Sequence, residues 1–195
     1  ALASFRLAHP GVEISLFEDN SDRLTERVGA GMTDLALIGA AGGPPQGLEA
    51  MTIISEPLVA AVPAGHPLAK RGRVSLADLS EFPIVCMPEG TGIRLVFDRA
   101  CTAGGVQQNI QLQASSPSAV IDLALRGLGV AILSKSMTAD HRSDLKALAI
   151  DDIETPAVLA IIWRGTRNPA CRELVQYCRE AFTNPGHPVA PTGSR

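Results

Sequence analysis

The chain has 195 residues, of which 46% are apolar and 19% charged, and its net charge is −3. That composition fits one large folded domain or two small ones. It argues against disorder and against a broad basic face for gripping nucleic-acid phosphates, and no run approaches the roughly 18 apolar residues of a membrane span.

In chain order, Leu2, Phe5 and Ala8 share one face of an opening helix, which His9-Pro10-Gly11 stops. Val12, Ile14 and Leu16 alternate at the period of a strand. Asn20 and Ser21 supply caps for a helix with Leu24 and Val28 on one face. Gly29 and Gly31 end it, and residues 35–38 read as a buried parallel strand. Residues 40–47 form a loop. Residues 51–62 are extended around Pro57, which suits an edge or crossover strand. A polar turn region follows, and then Ser75 caps a short helix with Asp78 placed for a capping box.

A second α/β run opens with a strand over 83–87 and a tight loop at 88–92. The next helix carries Ile93, Val96, Phe97, Ala100 and Cys101 at i, i+3, i+4, i+7 and i+8. Gly104-Gly105 ends it, and residues 109–114 form a strand. Ser115-Ser116-Pro117-Ser118 opens a helix that buries Val120, Ile121, Ala124 and Leu125. Gly127-Leu128-Gly129 breaks it before a buried strand at 130–133. Residues 134–150 read as a short helix and an extended piece. A last strand spans 158–163, and Asn168-Pro169 starts a helix with Cys171, Leu174, Val175, Cys178 and Phe182 on one face. Residues 184–195 hold three prolines and two glycines and read as a mobile tail.

Cys86, Cys101, Cys171 and Cys178 show no C-x-x-C spacing. They read as small hydrophobes in a reducing cytoplasm. No signal peptide opens the chain, whose first residue is Ala1, and a cytoplasmic location is expected. His9, His66, His141 and His187 are scattered, so neither a metal nor another cofactor is expected. Strands alternating with helices predict an α/β fold with mostly parallel sheet. The economical arrangement is two Rossmann-like lobes joined by two crossover strands. Residues 1–58 plus 160–183 form the first lobe and 59–159 the second, with a binding cleft between them.

Several phrases then carry a family resemblance. They are His9-Pro10-Gly11-Val12-Glu13, Asp34-Leu35-Ala36-Leu37-Ile38, Glu56-Pro57-Leu58-Val59 and Val62-Pro63-Ala64-Gly65-His66-Pro67-Leu68-Ala69. Ser75-Leu76-Ala77-Asp78-Leu79 and Gly127-Leu128-Gly129-Val130-Ala131-Ile132-Leu133 complete the set. In order and spacing the chain resembles the effector-binding domain of LysR-type transcriptional regulators over residues 1–182. The resemblance implies a fold like that of type 2 periplasmic binding proteins, a small-molecule effector in the cleft, and a dimer or tetramer. The family's winged helix-turn-helix, linker helix and first lobe strand have no counterpart here, so DNA binding is expected only through that missing N-terminal domain.

Three strand-to-helix loops, at residues 18–21, 88–94 and 115–118, should face the cleft. Each presents unpaired N–H groups and the positive end of a helix, which suits a small carboxylate or similar anion. The candidate effector-binding residues are Asn20, Ser21, Gly39, Ala40, Thr91, Gly92, Arg94, Ser115, Ser116 and Ser118. Glu18, Asp19 and Glu89 are expected at the rim, and Lys70-Arg71-Gly72-Arg73 in a solvated loop. Catalysis finds no support: G-x-S-x-G and H-E-x-x-H are absent, and Gly90-Thr91-Gly92 lacks both the rest of a dinucleotide fingerprint and a phosphate-loop lysine. The alternative reading on the same fold is a solute-binding protein of a transporter.

Overall fold

The computed structural model describes residues 1–43, 45–165 and 168–183, so the tail expected at 184–195 lies outside the described residues. Helix α1 (Leu2–Ala8) and helix α2 (Ser21–Gly29) precede strands β1 (Leu35–Ala41) and β2 (Glu49–Glu56). These two strands pair with β9 (Ala157–Trp163), which inserts between them antiparallel to both. The β9 side chains point alternately to two helices. Val158, Ala160 and Ile162 pack with Val28 of α2, and Ile161 and Trp163 pack with Val175 and Cys178 of α6 (Pro169–Thr183). Both faces of β9 are covered, which is why its sequence is an unbroken apolar run. Trp163 Nε1–H donates to the Glu49 carboxylate at 2.8 Å and ties β9 to β2 at the end of the register.

Pro57 ends the pairing of β2, and the chain crosses directly into β3 (Leu58–Pro63) of a second, six-stranded sheet. That sheet also holds β4 (Arg73–Val74), β5 (Ile84–Cys86), β6 (Ile110–Gln113), β7 (Val130–Ser134) and β8 (Leu145–Ile150), in the order β4-β8-β3-β7-β5-β6. Helices α3 (Leu76–Ser80), α4 (Gly92–Gly104) and α5 (Pro117–Leu125) bury their apolar faces against it. Residues 151–156 carry the chain back to β9. Both crossings are tied down. The Lys135 N–H donates to the Pro57 carbonyl at 3.3 Å, and the Gly42 N–H to the Pro156 carbonyl at 3.0 Å. The Glu56 carboxylate accepts the Ser136 N–H at 2.9 Å.

The expected caps form except at Ser21, whose hydroxyl accepts the Gly39 N–H instead. Asn20 accepts the Arg23 N–H, Thr91 the Arg94 N–H and Ser116 the Ala119 N–H. Ser75 and Asp78 close a capping box on α3. Four expectations change. The expectation of mostly parallel sheet does not hold throughout: the small sheet is wholly antiparallel, and the large one is mixed, with β3 antiparallel to β7 and β8, because each crossing reverses the strand direction. Residues 12–16 are extended but form no strand. Alternation yields a strand only where a neighbour pairs with it, and none of the described residues does; Leu16 stays 80% exposed. On α1 only Phe5 is buried, against Tyr177 and His9, while Leu2 and Ala8 are exposed. On α6, Phe182 is half exposed and does not join the core.

Two stability outcomes follow from these contacts. Ile162 is fully buried between β9 and α2. Ile162→Ala should cost about 2–5 kcal/mol by urea titration, because the cavity lies where backbone is pinned on both sides. Asp78 accepts hydrogen bonds from Ser75 and pairs with Arg71, and these contacts hold its carboxyl down at about 2. A depressed carboxyl stabilises the fold above its unfolded value near 4 and loses that effect as pH falls towards 2. The urea midpoint of Asp78→Asn should therefore lie below that of the parent chain at pH 6 and converge on it by about pH 2.

Candidate functional site

The starts of α2 and α4 meet at the end of β1. Asn20 opens α2 because its side-chain oxygen accepts the Arg23 N–H, one of the groups that the first helical turn leaves free. Thr91 does the same for α4. The Ser21 N–H donates to the Gly90 carbonyl at 3.1 Å, and the Gly39 N–H donates to Ser21 Oγ at 3.1 Å. Gly92 lies against Gly39 and Ala40. Six of the ten expected residues (Asn20, Ser21, Gly39, Ala40, Thr91 and Gly92) thus converge from both sheets. A space of about 70 Å³ adjoins them, lined by Asp22, Gly39, Glu89, Gly90, Thr91, Gly92, Arg94, Leu95 and Asp98.

Arg94 is present in that wall, but its guanidinium is already engaged. Its Nε lies 2.8 Å from both Asp98 oxygens, one Nη is 3.3 Å from Glu89, and the other is 3.8 Å from Cys86 Sγ. Burial disfavours the Arg94 charge, but the Asp98 contacts more than offset this and raise its pKa above the ordinary value. Arg94 therefore braces the second lobe from inside. Burial pushes the Cys86 thiol up, and that of Cys101 up to about 11, so both stay protonated near neutrality.

Ser115, Ser116 and Ser118 open α5 beyond β6, at the edge of the large sheet, and do not line this space. Ser115 and Ser118 are exposed, and Ser116 acts as the cap. Glu18 and Asp19 are exposed, whereas Glu89 reaches Arg94. Asp22, Leu95 and Asp98 were not among the expected residues. The i, i+4 spacing of Arg94 and Asp98 was the legible signal for their pairing. A wider groove of about 440 Å³ lies on the other side of the same pair, between α4 and β6, with Thr102, Gln107 and Gln108 in its wall. Among the described residues no cluster of His, Cys, Asp and Glu could hold a metal, and no helix is long and apolar enough to cross a membrane.

The family model for the LysR substrate binding domain matches residues 1–183. The chain belongs to this family. Its LysR domain is 30% identical over 163 residues to the HTH-type transcriptional activator CmpR of Synechocystis, covering 82% of this chain and 49% of CmpR. The chain thus spans about half the length of that relative. Its backbone resembles the CcmR regulatory domain of Synechocystis PCC6803 in complex with 2-PG, with a TM-score of 0.75, 23% identity, and 94% and 89% of the two chains covered. It also resembles the effector binding domain of QuiR in complex with shikimate, with a TM-score of 0.72, 18% identity, and 94% and 88% covered. The LysR domain has the two-lobed fold of these structures, and its joined helix starts lie between the lobes.

Removal of the Arg94 partner is the direct test of the brace. Asp98→Ala leaves a buried guanidinium with the exposed Glu89 as its remaining charged partner, and should cost about 1–3 kcal/mol after allowance for the partial exposure of Asp98. Differential scanning calorimetry should show a fall in Tm of roughly 2–4 °C per kcal/mol, and Asp98→Glu should recover part of it.

Proposed function

We propose that this LysR domain senses a small effector between its lobes and changes DNA binding by an N-terminal winged helix-turn-helix outside this chain. The convergence of two helix starts, one from each sheet, supports this reading most. Helix N-termini offer N–H donors and about half a positive charge each, so an anionic group placed there gains on the order of 0.3–1 kcal/mol per terminus. The proposed effector is a compact carboxylate or similar anion held by Asn20, Ser21, Gly39, Ala40, Thr91 and Gly92; Ser115, Ser116 and Ser118, at the edge of the large sheet, are left out of this site. Arg94 contributes field rather than a free donor, since Asp98 and Glu89 hold it. Asp22 and Glu89 favour hydroxyl groups on the same molecule. The complexes of CcmR with 2-PG and of QuiR with shikimate give acidic small molecules as reasonable first probes.

We assign the first lobe to residues 1–56 plus 157–183 and the second to 58–150, with Pro57 and residues 151–156 as the hinge; the limits expected at 58 and 160 move because Leu58 pairs within the large sheet and Ala157 to Leu159 within the small one. Effector binding shifts the population of lobe angles, by no more than its difference in affinity for the two states. In the parent regulator that shift would pass to a dimer or tetramer on DNA. The reading is of a cytoplasmic sensor without catalysis.

Thermal-shift titration with small carboxylates, including shikimate and 2-PG, tests the proposal. A ligand at 100 times its Kd stabilises by about 2.7 kcal/mol, which is a rise in Tm of roughly 5–10 °C. Ser21→Ala and Thr91→Val should each weaken a hit about tenfold. Undiminished affinity in both variants, or conversion of the ligand to product, would overturn the assignment.

A further inference from the structure

The two lobes touch backbone to backbone at Gly39 and Gly92. A Cβ on Gly92 would collide with the Ala40 nitrogen and the Gly39 carbonyl carbon, and would stand 2.8 Å from the Gly39 Cα. A Cβ on Gly39 would stand 2.9 Å from the Gly92 nitrogen and 3.2 Å from its Cα. Neither glycine has a positive φ. Backbone conformation therefore does not require glycine at either position; the approach of the other lobe does. The seam carries a hydrogen bond between the lobes, from the Ser21 N–H to the Gly90 carbonyl. That N–H is one of the helix-start donors assigned to the effector.

Size makes the seam consequential. The adjoining space of about 70 Å³ falls well short of the roughly 300 Å³ at which small-molecule pockets start. A metabolite-sized occupant needs the lobes further apart than the seam holds them.

We infer that the Gly39–Gly92 seam is a latch: it holds the lobes at closest approach, and its opening releases the Ser21 N–H to an occupant of the cleft. The inference rests on reading that cleft as the effector site. Opening swings the lobes about Pro57 and residues 151–156. It exchanges the Gly90 carbonyl for a ligand oxygen at the Ser21 N–H, so the donor is satisfied in both states. An effector would then act as a wedge rather than as a clamp.

The test needs no ligand, so its failure would leave the effector assignment standing, and failure of the thermal-shift screen would leave the latch standing. Gly92→Ala and Gly39→Ala place a methyl in the seam. Gly11→Ala, whose Cβ meets nothing within 4 Å, is the control. Hydrogen exchange at the Ser21 amide and the radius of gyration from small-angle scattering are measured on each folded variant. The latch predicts at least tenfold faster exchange at Ser21 and a larger radius in Gly92→Ala, with Gly11→Ala matching the parent. Unchanged exchange overturns it. Faster exchange at constant radius also overturns it, since that is local distortion without lobe movement. Should Gly92→Ala fail to fold, Gly39→Ala, whose methyl intrudes less, is judged by the same two readouts.

Discussion

The insertion of β9 between β1 and β2 is the constraint from which the rest of the architecture follows. Neither β1 nor β2 pairs with the other; each is held by a strand that enters the chain more than a hundred residues later. The small sheet closes only when the chain has built the large one and returned. Two crossings are the topological consequence, one at Pro57 and one at residues 151–156. Pro57 has no N–H to donate, so ladder pairing lapses there and the chain leaves one sheet for the other. The ties at Glu56, Lys135 and Gly42 then hold the crossings in place.

These crossings also decide where the helix starts meet. Helix α2 covers β1 and β9, and α4 rises from the end of β5 in the other sheet. Their first turns come together at the β1 residues Gly39 and Ala40, where the absence of a side chain on Gly39 and Gly92 lets backbone reach backbone. The donors gathered there are mostly main-chain N–H groups and capping hydroxyls. Among the residues that line the adjoining space, Arg94 carries the guanidinium, and Asp98 and Glu89 hold it as a brace within the second lobe. Because Arg94 and Asp98 border both the cleft and the outer groove between α4 and β6, movement of the pair would be felt on both sides of α4.

Much of the local structure was legible because it depends on neighbours in sequence. The capping box at Ser75 and Asp78, the Thr91 and Ser116 caps and the stop at Gly105 each need only a few residues. The apolar faces of α4 and α5 likewise announce themselves at helical spacing. The alternation over residues 12–16 misled because a strand is a property of two chain segments, and no partner meets this one. Strand direction is not legible for the same reason: a short apolar run reports burial, not the sense of its neighbour. A cation beside a glycine-rich loop suits either an anion or a salt bridge within the lobe, and the i, i+4 partner Asp98 is the pattern that favours the salt bridge the structure contains.

By itself the sequence determined the helices, their caps, the two α/β runs and the family phrases that predict two lobes, since these arise from contacts within a few residues or from side-chain periodicity. Tertiary structure alone decided that β9 runs antiparallel between β1 and β2, that Arg94 turns inward, and that Gly39 touches Gly92. Those outcomes depend on long-range closure and on which groups compete for the same space, and no local pattern of residues records that competition.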